Sequence, residues 1–172
     1  MIVAHLPTGY LIGALLERRF RPAACSPRLW LAVALLGAFA PDLDMLYFHL
    51  VDGRQHHHHS YWSHWPVVWF GALALALAWQ RLAQRTWVPV LLVLFTLNGC
   101  VHLLLDSVVG DIWWLAPWVD QAFSLATVTP RYQPWWLNFI LHWSFLLELS
   151  LLGAALWLAR FRRRGGSTQA AL

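Results

Sequence analysis

Trp87 to Asp106 reads WVPVLLVLFTLNGCVHLLLD. A helix that crosses a bilayer needs about 20 predominantly apolar residues. This stretch supplies them. Its far end is different. His102 and Asp106 are four residues apart, so on a helix they share a face with Cβ atoms about 6 Å apart. Asn98 extends the same stripe one turn back. The segment therefore predicts a membrane-spanning helix that holds an imidazole and a carboxylate together at one end. Taken alone, the pair fits metal ligation and a helix-end acid beside a core histidine equally well.

Four further stretches resemble spans: Ile2 to Leu16, Leu29 to Leu50, Trp62 to Gln80 and Trp135 to Arg160. The first is short and interrupted by His5, Pro7 and Gly9, and it lacks the basic start and cleavage site of a signal peptide. The second contains Pro41-Asp42-Leu43-Asp44. Pro66 suits the first helical turn of the third. Ser107 to Pro134 is rich in Trp and Pro and reads as an interfacial loop with short helices. The fold class expected is all-α, a multi-pass transmembrane helical bundle of about five spans. Residues 1–164 form one membrane-embedded domain and residues 165–172 a flexible tail.

Composition agrees. Hydrophobic residues make up 59% of the 172 and charged residues 12%, far from the balance of soluble domains. The 13 Trp suit the membrane–water interface. The net charge of +4 comes with no Lys at all; every basic residue is Arg. In such a chain excess Arg is an orientation signal, and no nucleic-acid partner is expected. Cys25 and Cys100 are too few for a disulfide framework.

Arginine placement sets the expected topology. Arg18, Arg19, Arg21 and Arg28 lie between spans one and two, Arg81 and Arg85 between three and four, and Arg160, Arg162, Arg163 and Arg164 after span five. With five crossings, these 10 of the 12 arginines share one side. The positive-inside rule makes that side cytoplasmic, with the N-terminus outside. All nine His and six Asp then fall on the other side or within a few turns of it. The topology rests on Arg alone, so this convergence is independent evidence for a shared site.

Ionisable groups in apolar segments are costly and usually functional, and imidazole with carboxylate is a ligand set for Zn and related divalent ions. Asp42 and Asp44 do not share a regular helical face, being two apart. Pro41 disturbs the helix there, so both could reach one site, or one could bind an ion while the other orients a histidine. In His59-Ser60-Tyr61-Trp62-Ser63-His64 the two imidazoles could converge across a loop-to-helix start. His56, His57 and His58 read instead as a solvated tract. His142 has a plain structural partner in Asn138, four residues earlier, and Glu148 is a hydrogen-bonding acid of open role.

The order His5, then Pro41-Asp42-Leu43-Asp44, then His59-x4-His64, then His102-x3-Asp106 resembles a family of inner-membrane-associated, metal-dependent hydrolases described as LexA-binding. These are distantly similar to zinc-dependent phospholipase C. The resemblance covers roughly residues 1–115, with further likeness from Trp135-Trp136 to Glu148. It implies metal binding at His5, Asp42, Asp44, His59, His64, His102 and Asp106. It also implies a bacterial inner membrane as the location. The family's middle motif, His-Arg-x-x-Thr-His-Ser, is altered here: Ser60 replaces the Arg and Ser63 the Thr. If that Arg holds a phosphate, another residue must take its place, with Arg54 and Arg131 as candidates.

The function expected is a membrane-bound hydrolase that uses one or two divalent ions, foremost Zn, on a phosphoester or lipid substrate at the outer face. The bilayer is its partner. The alternative is a non-enzymatic protein that binds or transports metal. A transport path, however, should carry polar residues through the midplane.

Overall fold

The computed structural model describes residues 1, 3–83 and 86–169, with backbone alone for 164–169. Ile2, the expected start of the first span, Arg85 of the basic connection and the tail residues 170–172 lie outside the described residues.

The chain is helical. The helices are α1 His5–Phe20, α2 Pro27–Phe39, α3 Asp44–Leu50, α4 Pro66–Leu82, α5 Val88–Asp106, α6 Trp136–Ile140 and α7 Ser144–Gln169. Among the described residues there is no strand, only one antiparallel bridge between Ile112 and Phe123. Local chemistry explains several boundaries. Ser26 caps α2 by accepting the Leu29 N–H at 3.1 Å, and Pro27 occupies its first turn. Pro66 and Pro89 sit in the first turns of α4 and α5. At Pro41 the α2 helix tightens into a 3-10 turn, Ala40–Leu43, before α3 begins at Asp44.

Among the described residues three helical stretches are long and apolar enough to cross a membrane: Pro27–Leu50, Val88–Asp106 and Ser144–Arg163. Length alone does not confirm all five expected crossings. At 1.5 Å per residue, α1 and α4 are about 24 Å and about 26 Å long, against a hydrocarbon core of about 30 Å. The fifth expected span is also broken. α6 and a turn precede α7, so the long helix starts at Ser144 and not at Trp135.

α5 packs between α2 and α4, α1 packs on α2, and α7 packs on α1. Small residues permit these approaches. A Cβ on Gly37 of α2 would lie 2.2 Å from the Phe95 carbonyl oxygen of α5, and one on Gly9 of α1 would lie 2.6 Å from Ala38 Cβ. One apolar core joins Trp30 and Ala34 to Leu91 and Leu94, with the Trp30 indole donating to the Gly13 carbonyl at 2.7 Å. The outside of the bundle is apolar too: Leu36, Leu75, Leu82, Leu146 and Trp157 are all exposed, as lipid-facing residues should be.

Residues 107–134 contain no helix, contrary to the short helices expected there. The segment folds back over the end of α5 through mutual Ile112–Phe123 hydrogen bonds, Leu125 N–H to Ser107 O at 2.8 Å and Ala126 N–H to Val108 O at 2.9 Å. Pro117 and Pro130 deny donors to a helix here, and the Trp114 indole bonds Ser107 Oγ at 2.9 Å instead.

Candidate metal centre

The end of α5 carries the centre. His102 is fully buried, and its Nδ1 meets the Ala38 carbonyl of α2 at 2.8 Å. A carbonyl only accepts, so Nδ1 carries the proton and Nε2 presents a lone pair. Nε2 lies 2.9 Å from Asp106 Oδ2 and 3.5 Å from Asp42 Oδ1. Gly37 makes this possible. It lets α2 approach α5 closely, and the next residue supplies the carbonyl that orients the ring.

The 3-10 turn lets both acids of Pro41-Asp42-Leu43-Asp44 reach the same neighbourhood, in different roles. Asp44 Oδ2 contacts His64 Nδ1 at 2.6 Å and accepts from Ser63 Oγ at 2.6 Å. This sends His64 Nε2 towards Asp42 Oδ1 at 3.7 Å and Asp106 Oδ2 at 3.8 Å. Asp44 thus orients a histidine, while Asp42 faces the shared point. Asn98 is buried but turns its amide N–H to its own helix at Leu94 O, 2.7 Å.

His59 and His5 close the margin. The His59 Nδ1 contacts the Gly110 carbonyl, and its Nε2 is 3.6 Å from Asp106 Oδ2. Burial pushes the His59 imidazole down to about 2, which keeps the ring neutral. His64 is also opposed by burial, but the Asp42 and Asp44 carboxylates hold it above the ordinary histidine value. His5 stacks on His102 with centroids 3.7 Å apart, and its Nε2 is 3.1 Å from Asp106 Oδ1. The Met1 amino group also reaches Asp106 Oδ1.

Asp42, His64, His102 and Asp106 each offer one ligand atom within 4.8 Å of the others. Zn–ligand bonds of about 2.0–2.2 Å in a tetrahedron place donors about 3.3–3.6 Å apart, close to most of the spacings here. Among the described residues, His64 Nε2, His102 Nε2 and Asp106 Oδ2 are buried without a hydrogen bond of good geometry. Burial without partners is costly for such groups, and a cation is the group that satisfies two imidazole lone pairs and two carboxylates together. The residues present therefore fit a divalent metal.

The structure brings all seven expected residues to one end of the bundle. It also corrects the reading of the neighbouring tract. His58 is half-buried, with Nδ1 3.8 Å from Asp44 Oδ1 and its ring 4.0 Å from that of His59. With His59 and His64 it forms a second group able to hold an ion. The Asp52 carboxylate explains the ordering: it accepts the Gln55 and His56 N–H groups and contacts the His56 ring at 2.7 Å. His142 turns to Ser144 Oγ at 2.9 Å and not to Asn138, which instead accepts the Arg131 and Tyr132 N–H groups. Glu148 accepts the Val3 N–H and ties α7 to the start of the chain. Arg54 meets His49 Nδ1 at 3.0 Å, and neither it nor Arg131 lines the cavities beside the centre.

The YdjM inner membrane protein family model matches residues 1–166. The chain belongs to this family. No curated protein and no solved structure matches it. Membership in the YdjM family agrees with the apolar helices and exposed leucines: this is a membrane protein of an inner-membrane family, with a His/Asp cluster able to bind metal at one end of its bundle.

Proposed function

We propose that the chain is a metal-dependent hydrolase of the inner membrane, acting on a phosphoester or a lipid at the periplasmic face. One observation carries this reading. Two buried imidazoles, each with Nδ1 held by another group, aim partnerless Nε2 atoms at two carboxylates. Asp42, His64, His102 and Asp106 form the ligand set; Asp44 orients His64; His5 and His59 complete the wall. His58 adds a donor to the second group, so one or two ions fit. Zn is the favoured ion for such donors. When bound, it supplies Lewis acidity and lowers the pKa of water to about 7. Asp42 is the most accessible of the four, and a cavity of about 660 Å³ reaches both Asp42 and Asp106 between Phe39, Leu43 and Trp135. A substrate with an apolar part enters there.

Orientation follows the charges. Arg18 and Arg19 end α1, Arg28 begins α2, Arg81 ends α4, and Arg160, Arg162 and Arg163 lie towards the end of α7, each remote from the cluster along its own helix. The positive-inside rule puts that end in the cytoplasm, with the N-terminus outside and the C-terminus inside. A C-terminal reporter active only outside the cytoplasm would overturn this.

The alternative, a metal carrier, has less support. On the buried face of α5 the next polar groups inward, Asn98 and Thr96, bond carbonyls of their own helix and offer no path. The deciding experiment is metal analysis of the detergent-purified protein with phosphomonoester and phosphodiester assays, before and after chelation. Stoichiometric Zn and a chelator-sensitive activity lost in Asp42→Asn support the hydrolase. Bound metal without turnover of either ester class favours the alternative.

A further inference from the structure

A second cavity, of about 840 Å³, is lined by Asp44 and by none of Asp42, His64, His102 and Asp106. Tyr47, Tyr61 and Trp62 line it together with Asp44 and Asp52. The Tyr47 and Tyr61 rings stand at 86° with centroids 5.3 Å apart, so two aromatic walls meet at a corner and the Trp62 indole adds a third. Both acids are fixed. Asp52 is held by the His56 ring and two backbone N–H groups. Asp44 uses Oδ2 on His64 and Ser63, its Oδ1 lies 3.8 Å from His58 Nδ1, and its side chain is only 6% exposed. Among the described residues no arginine lines the cavity. Interfacial anchoring would account for exposed Tyr and Trp, but not for two carboxylate residues in the wall of the cavity they enclose.

We propose that this cavity binds an organic ammonium group, with the aromatic walls taking its alkyl surface and the Asp44 and Asp52 carboxylates its charge. Aromatic faces attract such cations through the ring quadrupole, and quaternary ammonium groups are held this way by aromatic cages. A strongly hydrated inorganic cation gains nothing from three aromatic walls. The site is separate from the metal ligand set and stands whether or not the centre hydrolyses anything.

The test is equilibrium dialysis of labelled choline against the full chain, loaded with Zn, in detergent. Saturable binding near one choline per chain is expected. Tetramethylammonium should displace it, whereas 3,3-dimethylbutanol, its neutral shape mimic, should not. Trp62→Leu and Tyr47→Leu alter exposed side chains and leave Zn content unchanged; each should weaken choline about three- to tenfold. Asp52→Asn should weaken it further. Short-chain phosphatidylcholine below its micellar concentration separates the sources: displacement stronger than by choline assigns a lipid headgroup, and displacement by choline alone assigns a free solute. Unsaturable binding, equal displacement by the neutral mimic, or unchanged affinity in both aromatic variants overturns the proposal.

Discussion

The two ends of α5 are built from the same helix and hold together by different physics. Near its start, Leu91 and Leu94 pack against Trp30 and Ala34, a contact that needs nothing but the exclusion of polar groups. Near its end, Asn98, His102 and Asp106 occupy the equivalent buried face. There the neighbours are His5, Asp42 and His64, and several of their polar atoms face each other without hydrogen bonds. The first end needs no ligand to satisfy it. On the proposed reading, the second depends on a cation. Stability and ligand binding are thus separable along one helix, and substitutions at the two ends should separate them.

The largest effect belongs to the ligands. His102→Ala and Asp106→Ala should each abolish stoichiometric metal binding, measured by elemental analysis after gel filtration, because each removes a donor from a set of four. His57→Ala should leave metal content intact, since that ring is exposed and outside both candidate groups. Loss of metal in His57→Ala but not in His102→Ala would refute the assigned set.

Leu94→Ala is the counterpart at the apolar end. The side chain is only 2% exposed, so truncation should cost about 2–5 kcal/mol through lost burial and the cavity left behind, with metal stoichiometry unchanged. Chelation should produce the reverse pattern: no packing defect, but a lower melting temperature that Zn restores. At free Zn about 100-fold above its Kd, mass action contributes about 2.7 kcal/mol. An apo protein that melts with the loaded one would remove the conditional end from the comparison.

Gly37→Ala tests the link between the ends. Its Cβ would meet the Phe95 carbonyl oxygen, which is backbone and cannot rotate away. Overpacking of this kind costs typically about 1–3 kcal/mol. Separating α2 from α5 also withdraws the Ala38 carbonyl from His102 Nδ1, so metal affinity should fall along with stability. A fall in stability with unchanged affinity would show that His102 keeps its orientation without Ala38.

Much of this architecture is legible in the amino-acid sequence. Apolar length marks the helices, and the i,i+4 pair at 102 and 106 marks the site, because helical periodicity translates spacing into a shared face. The split roles of Asp42 and Asp44 are legible only as alternatives; a 3-10 turn at Pro41 decides between them, and its sense depends on what packs around it. Composition misplaces His58, because composition describes a tract, while burial is set by Asp52, which folds the loop locally, and by Asp44, which draws the ring inward. The carbonyls of Ala38 and Gly110, which hold His102 and His59, carry no sequence signal at all, since every residue has one. Local patterns suggest short helices within residues 107–134, and they are blind to the long-range backbone pairing that the segment adopts instead.

The smallest effect is expected at the arginine end. Arg162 of α7 reaches α1, donating to the Ala14 carbonyl at 3.0 Å and pairing with Glu17. Its side chain is about one-third exposed, at 33%, so solvent screens the pair, and exposed ion pairs contribute roughly 0–1 kcal/mol. Glu17 keeps a second partner in Arg21 at 3.3 Å, which limits the loss further. Arg162→Ala should therefore lower the melting temperature only slightly and leave Zn content unchanged. It should also respond to salt: raising ionic strength should shrink the difference between variant and parent, because added salt weakens the pair in the parent alone. A loss of metal in Arg162→Ala would mean that the docking of α7 on α1 positions His5 from the opposite end of α1, and the two ends would then be one cooperative unit instead of two separable ones.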